Sequence, residues 1–246
     1  MTARTLSAAL IRESFVSISL ATSILLMWLA TVYASLFVLP DARTLPIVGV
    51  LGVVVGRSFL HTGLFIVAHD AMHGSLAPAY PRLNDQLGQL ILWVYSFLSF
   101  DTMQACHHQH HRTPAQASDP DFYTGGFWVW YLKFMRTYIK GGQGWAIFWG
   151  MSVFFYPMVL LLHVPVLNAI LFWLLPQALS SWQLFYFGTY RPHRRPPGGH
   201  TNGHRANSST ASTLVSFLSC YHFDYHWEHH QYPHLPWYKL PSVHRL

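Results

Sequence analysis

The chain has 246 residues, of which 52% are hydrophobic, 16% aromatic and only 10% charged, against about 25% charged in ordinary soluble domains. That balance argues against a water-soluble globule and points to a bilayer as the main solvent, with a length suited to one domain covering 1–246. The net charge of +6 does not imply nucleic acid, because the 15 Lys and Arg are scattered and no basic helix or stacking motif accompanies them.

Taken in chain order, residues 14–40 carry no charge. The run is longer than a signal-peptide core and has no clear cleavage site, so it predicts a retained membrane helix near 15–38. A second span is expected at 46–68, with Arg57 and His61 near its middle and four apart, hence on one face. Residues 86–100 are uncharged but short for a span, and predict a re-entrant or interfacial hairpin near 86–105. Residues 141–190 contain no Asp, Glu, Lys or Arg, and His163-Val-Pro165 divides them into expected spans near 143–163 and 166–188. From Arg191 onward the chain is polar and basic, and Pro196-Pro-Gly-Gly marks a loop.

Four spans place both termini, 69–140 and 191–246 on one side. These segments hold nearly all the Lys and Arg, so the positive-inside bias makes that side cytoplasmic. The expected fold is therefore all-α and membrane-embedded, with a cytoplasmic cap formed by 69–140 and 191–246. Cys106 and Cys220 make no disulfide framework and read as buried thiols.

Of the 17 histidines, most of those with chemical interest fall in three clusters. His69-Asp-Ala-Met-His73 sets two imidazoles one helical turn apart, while His107-His-Gln-His-His111 and His226-Trp-Glu-His-His230 share an HxxHH spacing. His222 lies four residues before His226 and extends the last cluster. Neutral imidazole is the commonest ligand for zinc, iron and copper. A tetrahedral site needs only four ligands, so His69, His73, His107, His110, His111, His226, His229 and His230 on one membrane face imply two metals.

Other histidines have plainer readings. His108 turns to a different helix face, His163 suits a turn, and His234 and His244 suit the surface. His61 reads as a hydrogen-bonded core residue, and His193 and His200 lie in loop sequence that permits no facing argument.

The eight-histidine pattern resembles the membrane fatty-acid desaturase and hydroxylase superfamily of non-haem di-iron oxidases. Within it, His69-Asp-Ala-Met-His73-Gly, Ser118-Asp-Pro-Asp-Phe122, Phe187-Gly-Thr-Tyr190 and the run from Cys220 to Pro241 are similar to the bacterial-type β-carotene ketolases. The similarity runs through nearly the whole chain in order. It implies a mushroom-like helical protein, two iron ions (Fe2+/Fe3+), O2 as co-substrate and a carotenoid oxidised at ring carbon C4. It also implies a further ligand between the last span and the third cluster, at His204, and His222 fits the ketolase pattern. In place of the usual His-x-Ala-Arg-Ser the chain reads His204-Arg-Ala-Asn-Ser, which leaves Asn207 without an assigned role.

Neutral imidazoles do not cancel the charge of two irons, so carboxylates are expected beside them. Asp70, Asp119, Asp224 and Glu228 lie in or next to the clusters, with Asp119 in the Asp-Pro-Asp element. No dinucleotide-binding Gly-rich motif is present, so electrons are expected from a separate, ferredoxin-like donor. Two other readings stand beside the ketolase: a fatty-acyl desaturase or hydroxylase with the same metals, and a non-catalytic histidine-rich metal carrier or sensor. The carrier predicts ligands spread along a pore, whereas here they gather at helix ends.

Overall fold

Residues 3–244 are described by a computed structural model, and among them all regular structure is helical. The first helix, α1 (Ala3–Tyr33), begins well before residue 15 and ends in a π-helical turn, Ala34–Val38. Then come α2 (Ile47–Met72), α3 (Pro81–Ser96), α4 (Phe100–Arg112), α5 (Phe127–Ile139) and α6 (Gly142–Leu160). The next helical run, α7, is continuous over 166–193. It alternates α segments Val166–Ala169, Leu175–Phe185 and Arg191–His193 with π turns Ile170–Leu174 and Tyr186–Tyr190. Two short helices, α8 (Thr213–Cys220) and α9 (His226–Gln231), and a 3-10 turn, Trp237–Ser242, complete the chain.

Among the described residues, two helices are long and apolar enough to cross a membrane, Ser7–Val38 and Ile47–Met72. The other two expected spans fall on α6 and α7. They are marked by absence of charge rather than by strong hydropathy, because tryptophan, tyrosine and glycine replace aliphatic side chains there. The outer face of α6 is nonetheless largely apolar, exposing Trp145, Phe148, Trp149, Val153 and Leu160. An exposed apolar face of that extent marks contact with lipid or protein.

The centre of the fold is α2, which packs against α1, α3 and the middle of α7. Close approach is secured by small residues: Gly63 lies against Tyr221, and Gly88 against Phe100 and Ala71, with no room for a Cβ. Arg57 is buried in α2 with no carboxylate partner. Its guanidinium donates to the backbone oxygens of Phe172 (3.1 Å) and Trp28 (3.2 Å) and lies 5.2 Å from the Trp28 ring centroid. A π turn leaves carbonyls without their usual intrahelical donors, and Phe172 sits in one. His61 accepts from Trp28 Nε1 at 3.1 Å, a core role.

The stretch 101–140, polar overall, contains the aromatic helix α5 (Phe127–Ile139). Ser99 caps α4 by accepting from Thr102 N (3.3 Å), and Phe97 ends α3 in the left-handed region at φ 57°. The α3–α4 turn aims α4 back at the end of α2. Gln104 Nε2 (3.1 Å) and His108 Nε2 (2.9 Å) both meet the Met72 carbonyl, which fixes α4 against the last turn of α2.

Candidate metal centre

Four helix ends meet at one place. His69 and His73 come from the end of α2, His107, His110 and His111 from α4, His193 from the end of α7, and His226, His229 and His230 from α9. They form two adjoining groups, His69/His73/His107/His229 and His110/His193/His226/His230, each with its ring nitrogens within 4.8 Å of one another. His111 joins the first group, its Nε2 lying 2.9 Å from His229 Nε2, and stacks on His230 of the second at 4.1 Å between centroids.

The HxxHH spacing explains the sharing. A step of four residues turns a helix by about 40° forward of a full turn, and a step of three falls about 60° short. In α4 the zero and four positions, His107 and His111, face the first group while His110 faces the second. In α9 the arrangement is exchanged: His226 and His230 face the second group and His229 the first. Each motif thus serves both groups.

The donor geometry fits metal ions. Nε2 atoms approach at 2.8 Å (His73–His107), 2.9 Å (His111–His229), 3.1 Å (His110–His230) and 3.2 Å (His226–His230). Metal–imidazole bonds of about 2.0–2.1 Å at right angles put neighbouring donors about 3 Å apart. Two more donors, His69 Nε2 and His193 Nε2, are buried with no protein partner, an arrangement that is costly unless something binds them. Burial holds the His73 imidazole down to about 3, and burial with the neighbouring His110 does the same to His226, so both rings are neutral ligands at ordinary pH.

Around the rings lies a second layer. Asp119 receives the His110 Nδ1–H on both oxygens at 3.0 Å and also accepts from the backbone of Ala115 (2.8 Å) and Asp121 (2.9 Å). Burial opposes protonation of His110, but the Asp119 hydrogen bond and the charges of Asp121 and Asp119 raise its pKa overall. Asp121 accepts the Tyr138 hydroxyl, and its carboxyl is pushed up to about 6, chiefly by burial. His193 Nδ1 donates to Arg205 O at 2.9 Å and His226 Nδ1 to Phe223 O at 3.3 Å. Carboxylate and carbonyl acceptors at Nδ1 fix each tautomer with Nε2 free for a metal. Asp119→Asn is expected to lower metal affinity or turnover about 10–100-fold, measured as metal content after dialysis against a graded chelator series.

Several expected site residues lie elsewhere. His204 is half-buried, and its Nε2 donates to Gln231 Oε1 at 3.0 Å, outside both groups. The left-handed turn at Arg205 (φ 45°) brings the Arg205 carbonyl, not the preceding imidazole, to the site. His222 is also turned away, in the left-handed region at φ 61°, with Nδ1 3.0 Å from Ser216 Oγ. Asp224 accepts from Ser216 Oγ, and Glu228 binds Ser208 Oγ and His244 Nδ1, so these two carboxylates tie loops together and touch no ring of either group. Asp70 lies 3.9 Å from His69 Nδ1 and accepts from Trp237 N at 3.2 Å.

Missed by the sequence reading are His193, Asp121 and Tyr138. For Asp121 the repeated Asp-Pro-Asp was a usable signal. For His193 no spacing pointed to it, because the π turn Tyr186–Tyr190 adds one residue and so rotates all that follows by about 100°.

Beside the histidines is a cavity of about 290 Å³ whose lining includes Phe65, Met72, Met103, Phe134, Leu184 and Phe223. His69, His107, His110 and His226 also reach it, so both groups face one apolar space. Phe223 packs on His69 (4.8 Å between centroids) and on His226 (5.3 Å), and a Cβ at Gly188 would overlap its ring. Gly188→Ala is therefore expected to displace Phe223 and cut turnover at least about tenfold, with a loss of thermal stability of about 1–3 kcal/mol. Parallel activity and melting measurements in detergent check it.

The fatty acid desaturase family matches residues 43–246. A β-carotene ketolase of Paracoccus sp. (strain PC1) is 38% identical over 238 residues, 95% of this chain and 94% of that protein. A β-carotene ketolase of a second Paracoccus strain is 40% identical over 232 residues, 92% and 91% of the two chains. A zeaxanthin 4-ketolase of Chlamydomonas reinhardtii is 38% identical over 194 residues, 76% of this chain and 42% of that one. No solved structure matches.

Proposed function

The chain belongs to the fatty acid desaturase family, and from that premise we propose that it is a β-carotene ketolase, oxidising C4 and C4′ of β-ionone rings to ketones. The observation that carries this reading is the apolar cavity with histidines of both groups in its wall. Its volume is at the lower end of ligand pockets, about 300–1,000 Å³. That suits one ring end of a carotenoid, with the polyene continuing into lipid.

In this reading the metals are two irons. His69, His73, His107 and His229 would hold the first, with His111 beside them, and His110, His193, His226 and His230 would hold the second. The bound irons supply the oxidising power by which O2 delivers an oxygen atom to a ring C–H bond. The protein's own part is position and exclusion of water. Phe65, Met103, Phe134 and Leu184 enclose the ring beside the histidines, and Asp119 keeps His110 oriented. Two hydroxylations at one carbon give a geminal diol, which loses water to the ketone. Each hydroxylation uses one O2, two electrons and two protons, and returns one water. The electrons come from a separate ferredoxin-like protein.

The membrane arrangement follows from the same reading: one domain, four spans on α1, α2, α6 and α7, and a hairpin of α3 and α4 that does not cross. The cap of 69–140 and 191–246 and both termini face the cytoplasm, supported by the Lys and Arg in those segments.

Expression in a bacterium that makes β-carotene tests the proposal. The expected result is a yellow-to-red pigment shift with mono- and diketones on chromatography. Unchanged carotenoids with altered fatty acids would replace it with an acyl desaturase or hydroxylase, and iron binding with neither product would leave a metal carrier.

A further inference from the structure

Between residues 122 and 223 the chain contains no Asp or Glu. Within that stretch Arg191, Arg194, Arg195 and Arg205 are all exposed. The first three line a surface cavity of about 490 Å³ together with Asn207, Ser208 and Asp224. Among the described residues none of the four forms an ion pair: Asp224, which lines the same cavity, is buried and accepts from Ser216 Oγ, and buried Glu228 is held by Ser208 and His244. More widely, five of the nine acidic side chains, Asp70, Asp119, Asp121, Asp224 and Glu228, are buried. The exposed surface is thus more positive than the formal charge of +6 conveys.

This basic patch is connected to the second histidine group through His193. Arg191 and Arg194 flank His193 in the chain, and His193 Nδ1 donates to Arg205 O at 2.9 Å. Arg205 is in turn pinned by its guanidinium to Ala115 O (3.2 Å), in the loop that carries Asp119. One hydrogen bond and one imidazole therefore connect an exposed backbone segment to the second group. The cavity beside Phe65 and Phe134 is, by contrast, lined mainly by apolar side chains.

We propose that the arginine-bearing surface of 191–205 is the docking site of an acidic one-electron carrier protein, whose electrons enter through the Arg205 carbonyl and His193. The inference rests on the oxidase reading above, which needs two electrons per O2. Two reduced carriers each give up one electron and leave oxidised, while O2 and two protons become the inserted oxygen and one water. Four guanidiniums with no carboxylate partner among the described residues favour a negatively charged partner and speed its encounter.

The test uses the full-length, iron-loaded protein in phosphatidylcholine discs, with a plant-type [2Fe–2S] ferredoxin as probe. The variants are Arg194→Glu/Arg195→Glu and the milder Arg194→Gln/Arg195→Gln. Ferredoxin binding, measured without carotenoid, is expected to weaken at least about tenfold in the first and less in the second. Wild-type binding should fall steeply with salt, and that dependence should flatten in the variants. Yield of the 4-hydroxylated carotenoid, the product of one O2 and two electrons, in a single turnover begun from chemically reduced enzyme should not change. Equal ferredoxin affinity in all three proteins overturns the proposal, as does absence of wild-type binding at low salt. So does a matching loss of single-turnover yield, which would make the patch part of the site's support. Loss of binding to phosphatidylserine vesicles with ferredoxin affinity intact would assign the patch to anionic lipid instead. A wild type that binds ferredoxin but leaves the carotenoid unhydroxylated in the single turnover would refute the ketolase reading and leave the docking result standing.

Discussion

Replacing His226 with alanine is expected to abolish ketone formation, by about a thousandfold or more, and to lower iron from about two per chain towards one. Changes one layer out from a metal already cost about 10–100-fold, and His226 would be a direct ligand. Its Nε2 lies 3.2 Å from His230 Nε2, and its ring is also 4.8 Å from His193 and in the cavity wall. The fold should survive, since its one other hydrogen bond is a 3.3 Å contact to the Phe223 carbonyl at the start of a short helix. Iron content and melting temperature, measured on the same preparation as activity, separate metal loss from unfolding. Full activity in His226→Ala would sink the ligand assignment.

The second large effect is a contrast between two histidines close in sequence. His193→Ala is expected to lose iron and activity much as His226→Ala does. His204→Ala should keep both near the wild-type level, losing only the bond to Gln231. The distinction rests on where each Nε2 points. That of His193 is buried, has no protein partner and faces His110, His226 and His230. That of His204 is satisfied by an amide oxygen at 3.0 Å. Iron analysis of the two variants decides it. Inactivity of His204→Ala with intact iron in His193→Ala would restore the position that family resemblance suggested.

Much of the centre was legible because its parts are local. An imidazole at one position and another four residues on share a helix face whatever the surrounding fold, so His69/His73, His107/His111 and His226/His230 could be paired by arithmetic. His108 could be set aside on the same arithmetic, and it indeed holds the Met72 carbonyl. The arithmetic stops where a chain leaves regular helix. His193 follows a π turn, and His204 and His222 sit beside or within left-handed backbone, at Arg205 (φ 45°) and His222 itself (φ 61°). A single such residue redirects every side chain near it. The carboxylates show the same limit. Asp119 reaches His110 across nine residues, whereas Asp224 and Glu228, nearer to the histidines in sequence, spend their oxygens on serines and His244.

The sequence by itself determined the apolar, charge-poor composition, the helical class, the family and the presence of two metal-sized sets of imidazoles. The family rests on a resemblance carried by motifs in order along nearly the whole chain, and the others on composition or on spacing within one element. Only the tertiary structure decided which imidazoles share a group, because each HxxHH motif spans two directions about 100° apart and the partners lie on other helices. It also decided that His193 enters the second group and that His204 does not. Those outcomes follow from the extra residue in the α7 π turn and the path of the loop behind it, which spacing along the chain does not encode.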